Sequence, residues 1–222
     1  MDTQAYLEDF CPAEIVSIVE TADLLAPGGN DVYFLLEEIG VAPQCEVAAT
    51  LHLAGQVTPA TADAVLTSFF KSVASLADLI PETGREAVTT SLGQFEPNAL
   101  YGVDLITALR RLRYDDRPRL RPFIPVDWTF SEPRDEAALP WHFALYAASL
   151  GDAAAIDRMA DKIATTTDAD ATVALLESLS VLDHPRVTEI LRRYDQDSRR
   201  TRGAHGPDLM VREFVADMLE DR

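Results

Sequence analysis

Two segments of the chain, WHFALYAASLGDAAAIDRMADKI (141–163) and TVALLESLSVLDHPRVTEILRRY (172–194), overlay without a gap at an offset of 31 residues. Leu145 falls on Leu176, Leu150 on Val181, Asp152 on Asp183, Ile156 on Val187 and Met159 on Ile190. Each copy reads as the end of one helix, a tight corner at aspartate and the start of a second helix. Aspartate suits such a corner because its carboxylate accepts a free backbone N–H and meets the positive end of the helix dipole, a cap of roughly 1 kcal/mol. A single helix pair cannot bury its apolar stripe. Stacking on a neighbouring pair supplies the missing surface, at roughly 25 cal/mol per Å² removed from water. The expected fold class is therefore all-α, and within it a short right-handed α-α solenoid of stacked helix pairs.

The rest of the chain supports the helical reading. PAEIVSIVETADLLAP (12–27) puts Ile15, Ile18, Val19, Ala22 and Leu25 on one face, with Pro12 suited to a first turn. Asn30 or Asp31 can cap DVYFLLEEIG, which stops at Gly40, and PQCEVAATLHLAG closes at Gly55. A further helix is expected from Thr58 as cap and Pro59 as first helical residue, with Val65, Phe69, Val73, Leu76 and Ile80 on its apolar face. No period-two strand occurs, and prolines spoil the nearest candidate, FIPVDWTF. Residues 115–140 hold five prolines and are expected to be irregular, with Trp128 and Phe130 arguing for a packed loop rather than a free linker. The organisation expected is acidic helical repeats over 1–114, this proline-rich connection over 115–140, and clearer repeats over 141–222, in one continuous stack.

The C-terminal end resembles a HEAT-type repeat. After DHPRVTEILRRYDQDS comes HGPDLMVREFVADMLED, in which Pro207, Asp208, Val211, Arg212, Phe214, Val215 and Met218 stand where that family places an aspartate-proline turn, a valine-arginine pair and then small or apolar residues. Phe214 departs from the usual small residue. The resemblance covers 141–222, and 1–109 only as helix pairs of similar length. It implies a non-enzymatic module that binds a protein along an extended surface.

Charge shapes the partner. Acidic side chains outnumber basic ones 37 to 19, for a net charge of −18. Residues 1–109 hold 16 acids and only Lys71 and Arg85 as bases. Such a surface repels phosphate backbones and attracts a partner with a basic patch, so nucleic-acid binding is not expected there. The arginines cluster twice, at 110–121 and at 192–202. Guanidinium forks bind carboxylate and phosphate, so Arg117, Arg119, Arg192, Arg193, Arg199, Arg200 and Arg202 are the candidate anion or partner contacts. The alternative function is a nucleic-acid or nucleotide-acting protein that uses this edge. The competing reading, which carries more weight, is that these arginines pair with Asp115, Asp116, Asp195 and Asp197. DRPRLRPFI (116–124) also matches the corner DHPRVTEIL (183–191), so Asp116 is an expected cap and Pro118 a first-turn proline, with Leu120, Phe123 and Ile124 inward.

No catalytic residue, cofactor or metal site is expected. No nucleophile elbow, P-loop or dinucleotide fingerprint occurs. His52, His142, His184 and His205 share no ligand spacing; His52 reads as a packed core residue and the others as helix-start, corner and loop residues. Cys11 and Cys45 form no metal spacing; they could pair with each other, and buried free thiols are the expected state. The acidic N-terminus lacks the basic start of a signal peptide and no apolar run is long enough to cross a bilayer, which together point to the cytoplasm.

Overall fold

A computed structural model describes residues 2–21, 36, 38–61, 63–202 and 209–222. Among them the regular structure is α-helical, with 12 α-helices and no strand. A lone antiparallel bridge joins Arg200 to Met210. No described helix is long and apolar enough to cross a membrane. The chain divides into two compact units, Met1–Phe123 and Ile124–Arg222. The division falls inside the proline-rich stretch 115–140 and leaves the first arginine cluster in the N-terminal unit. On this boundary the N-terminal unit has 18 acids against eight bases and the C-terminal unit 19 against 11, so their net charges are −10 and −8.

The N-terminal unit contains α1 (Thr3–Phe10), α2 (Ala13–Thr21), α3 (Pro43–Ala54), α4 (Asp63–Leu76), α5 (Glu82–Leu92), α6 (Gly102–Arg111) and the single turn α7 (Arg117–Leu120). Asp2 caps α1 by accepting from Gln4 N and Ala5 N. The expected caps Asn30 and Asp31 lie outside the described residues. Gly40 ends its helix at φ +72°, a left-handed conformation that glycine adopts without a Cβ clash, and its N–H reaches Leu36 O. The helix expected from Thr58 starts later, at Asp63. Thr61 Oγ1 accepts from Thr58 N and Thr61 N donates to Thr58 O, which closes a separate turn first. Phe69, Val73, Leu76 and Ile80 are buried as expected. Phe70 adds a second inward face, where it packs against Phe95 and Tyr101 with ring centroids 5.4 Å away in each case.

The two cysteines correct the expectation of free thiols. Cys11, at the α1–α2 corner, is bonded to Cys45, the third residue of α3, with the Cα atoms 4.8 Å apart. Packing of α1 on α3 brings together two residues separated by 34 positions. Spacing along the chain carries no trace of that contact.

The C-terminal unit contains α8 (Leu139–Ser149), α9 (Ala153–Thr165), α10 (Ala169–Ser180), α11 (Pro185–Leu191) and α12 (Val211–Glu220). Three of the aligned pairs match in burial: Leu145 with Leu176, Ile156 with Val187 and Met159 with Ile190 are all at most 2% exposed. The corner pair diverges, since Val181 is 59% exposed. Asp152 caps α9 by accepting from Ala155 N. Asp183 does not cap α11; His184 occupies that position and its Nδ1 accepts from Arg186 N. Pro185 then stands at the first helical position, where its missing N–H costs nothing. Asp168, which the repeat comparison did not single out, caps α10 through Ala171 N.

The irregular stretch is a packed loop. Trp128, Phe130 and Trp141 form a ring cluster with centroids 5.8–6.1 Å apart. Lys162 of α9 fastens the loop, because its Nζ donates to Phe130 O (2.6 Å) and Trp128 O (3.0 Å) and sits 4.7 Å from the Phe130 ring centre. The Asp135 carboxylate accepts from Ser131 N and Glu132 N. The Glu132 amide bond is the main reason its carboxyl lies below the usual range.

Candidate functional site

The two arginine clusters belong to different units, and the guanidinium groups of Arg111, Arg117, Arg119, Arg199 and Arg202 are paired within the fold. In the N-terminal unit Arg117 makes a forked pair with Asp115, at 2.9 and 2.7 Å. The forked hydrogen bond holds the Asp115 carboxyl below its usual range. Arg119 pairs with Asp116 and also donates to Phe95 O. Asp116 stands at the N-cap of α7, but its side chain is turned to Arg119 and makes no bond to a helix N–H, so the expected cap is replaced by an ion pair. Leu120 and Ile124 are buried as expected, whereas Phe123 is 38% exposed. Outside the candidate set, Arg111 reaches Ala74 O and Asp78, while Arg85 reaches Ala77 O and Leu112 O. Burial, with Arg111 nearby, lowers the Arg110 guanidinium below its ordinary value.

In the C-terminal unit Arg199 is the organising group. Its guanidinium forks onto Asp197 at 2.6–3.1 Å and donates to Thr166 O (3.1 Å) and Thr167 O (3.0 Å) beyond the end of α9. The carboxylate hydrogen bond raises the Arg199 guanidinium further. Burial works against ionised Asp197, yet the bonds from Arg199 outweigh it and hold that carboxyl below its usual range. Arg202 places its backbone N–H on buried Asp170, at 2.9 and 3.1 Å, and leaves a side chain that is 85% exposed and 3.7 Å from Asp168. Arg200 is exposed and forms the bridge to Met210. Arg192 and Arg193 are exposed at the end of α11, and their side chains make no hydrogen bond or ion pair with a described residue.

These contacts separate two kinds of arginine. Arg199→Lys keeps the charge but loses the fork and at least one carbonyl bond, so it is expected to destabilise the C-terminal unit by about 2 kcal/mol. Arg192→Ala and Arg193→Ala are expected to stay within about 0.5 kcal/mol of the parent, as solvated surface changes do. Urea midpoints check both. Acid dependence follows from the same pair. Asp197 has a folded pKa below its unfolded one, so its contribution is complete above about pH 4 and is lost as pH falls through the folded value. Unfolding curves between neutral and strongly acidic pH should show that loss in the parent and a smaller one in Asp197→Asn.

Each described histidine has its own local setting. Nε2 of His142 lies 2.7 Å from Pro133 O, His184 caps α11, and His205 lies outside the described residues. His52 is only half-buried, with Nε2 2.7 Å from Gln56 Nε2 and a buried Nδ1 that has no partner. Among the described residues no group of three or more histidine, cysteine, aspartate or glutamate side chains is placed to hold a metal ion.

One surface was missed at the sequence level. A groove of about 370 Å³ between α10 and α12 is lined by Glu177, Ser180, Phe214, Asp217, Met218, Asp221 and Arg222. Phe214 and Met218 are partly buried against the core of the unit and form its apolar part. Phe214 was legible in the sequence as the departure from the small residue of the HEAT pattern. Comparison of the chain with protein-family models, with the curated proteins and with the solved structures gives no match.

Proposed function

We propose that the chain is a HEAT-like stack of helix pairs that acts as a non-enzymatic binding module and offers an acidic surface to a protein partner with a basic patch. The observation that carries this reading is the fate of the arginines. Arg117, Arg119 and Arg199 are bound to neighbouring carboxylates and backbone carbonyls, and the large excess of carboxylates faces solvent without them. The groove between α10 and α12 supports it further, because three carboxylates against the one guanidinium of Arg222, beside Phe214 and Met218, suit a cationic side chain with an apolar stem. The matched burial in the two repeats of the C-terminal unit supports the HEAT-like architecture.

A synthetic amphipathic helical peptide with leucine on one face and arginine on the other is the probe. Its association rate should fall about tenfold or more between 50 and 300 mM NaCl, as expected when opposite charges steer encounter. The Glu177→Gln, Asp217→Asn, Asp221→Asn triple variant should weaken binding at least fivefold. A rate indifferent to salt would count against the acidic surface, and unchanged affinity in the triple variant would count against this groove. Among the candidate arginines, Arg192, Arg193 and the exposed side chain of Arg202 are the most open to serve as an anion edge. Stable binding of a DNA duplex at 50 mM salt, lost in their alanine variants, would favour the alternative of a nucleic-acid or nucleotide-acting protein.

A further inference from the structure

The Cys11–Cys45 bond offers chemistry that protein binding does not use. A groove of about 320 Å³ in the N-terminal unit is lined by Glu8 of α1, by Cys11, and by Ala13, Val16, Ser17 and Glu20 of α2. Cys11 opens into it and is 7% exposed, whereas Cys45 is 1% exposed and takes no part in its walls. A reactant arriving through this groove therefore meets Cys11 and not Cys45. Its approach is charged. Gln4 Nε2 donates to Glu8 Oε1 at 2.9 Å and to Glu20 Oε1 at 2.6 Å, so one amide holds both carboxylates at the mouth of the groove. Among the described residues no lysine, arginine or histidine lines it.

We propose that this groove is a thiol–disulfide exchange site, with Cys11 Sγ as the sulfur attacked, Cys45 Sγ as the leaving group and a cationic small thiol as the preferred reactant. The reacting thiol first gives its proton to water. Its thiolate then attacks Cys11 Sγ and forms the new S–S bond. The Cys11–Cys45 bond breaks, and its electron pair stays on Cys45 Sγ, which takes a proton from water. The incoming sulfur is oxidised to a mixed disulfide, Cys45 is reduced, and no other oxidant is needed. Cys45 stands in the first turn of α3, whose positive end favours the departing thiolate. Glu8 and Glu20 attract an ammonium group borne by the thiol and repel a carboxylate, which sorts thiols by charge before any bond is made.

The test uses the oxidised full-length chain at low ionic strength with three reagents at matched thiolate concentration: cysteamine, 2-mercaptoethanol and 3-mercaptopropionate. Reactions are stopped with acid at early times and the adduct is mapped by peptide mass spectrometry. The first adduct is expected on Cys11. Cysteamine should react fastest and 3-mercaptopropionate slowest, with a spread of about tenfold at low salt that shrinks in 1 M NaCl. The Glu8→Gln, Glu20→Gln variant keeps amide oxygens for Gln4, so circular dichroism should report an unchanged fold while the charge order collapses. A first adduct on Cys45, or rates that ignore thiol charge in the parent chain, would overturn the proposal. So would a charge order that survives in the double variant.

Discussion

Replacing both cysteines, as Cys11→Ala with Cys45→Ala, is expected to lower the stability of the N-terminal unit by roughly 4 kcal/mol. The bond closes a loop spanning 34 positions, and the chain-entropy relation gives about that value for a loop of this length at 25 °C. The loss arises chiefly in the unfolded chain, which regains the freedom that the bond had removed. Alanine is the right replacement, because Cys11 and Cys45 are both buried and serine would add an unpaired hydroxyl. Urea unfolding followed by circular dichroism measures the change, and the midpoint temperature should fall by about 10–20 °C. A loss below about 1 kcal/mol would mean that the unfolded chain already holds these two positions together. Reduced parent protein should match the double variant closely, since both lack the same restraint.

Trp141→Ala carries the second large effect, about 4 kcal/mol in the C-terminal unit. Trp141 is fully buried in α8, and its Nε1–H donates to Ser178 Oγ of α10 at 2.9 Å. Its ring meets Trp128 and Phe130 edge-to-face, so truncation also removes the surface on which the 124–138 loop rests. Trp141→Phe separates the contributions. It keeps most of the apolar area and gives up the Ser178 bond, for an expected cost of about 1–2 kcal/mol. Trp128 and Trp141 are the two tryptophans of the chain. In Trp141→Ala the remaining emission from Trp128 should therefore shift to the red as water reaches the loop. An unshifted spectrum with a small stability loss would show that the loop is held by Lys162 instead.

Much of the architecture was legible in residue periodicity. Apolar residues at helical spacing marked the buried faces of α4, α9 and α11, and the 31-residue offset paired three apolar positions of like burial while failing at the corner. Aspartate was a sound corner signal at Asp152 and misleading at Asp116 and Asp183. A capping carboxylate competes with any arginine or neighbouring side chain that folding brings near. Arg119 took Asp116, and His184 took the place of Asp183. The packed state of the 124–138 loop was legible from its aromatic residues, but Lys162, which ties it down, was not.

Helix content, the corners of the repeat and the excess of negative charge were written into the chain by itself, because each depends on residues within a few turns of one another or on composition alone. Tertiary structure decided the disulfide, the engagement of Arg119 and Arg199, and the grooves at Cys11 and at Phe214. Apart from the groove at Cys11, which forms where α1 meets α2, these join residues more than 20 positions apart: Cys11 and Cys45, Phe95 and Arg119, Thr166 and Arg199, and Glu177 and Phe214. Local preference carries no information about such pairs, since their free energy appears only when helices pack and water leaves the space between them.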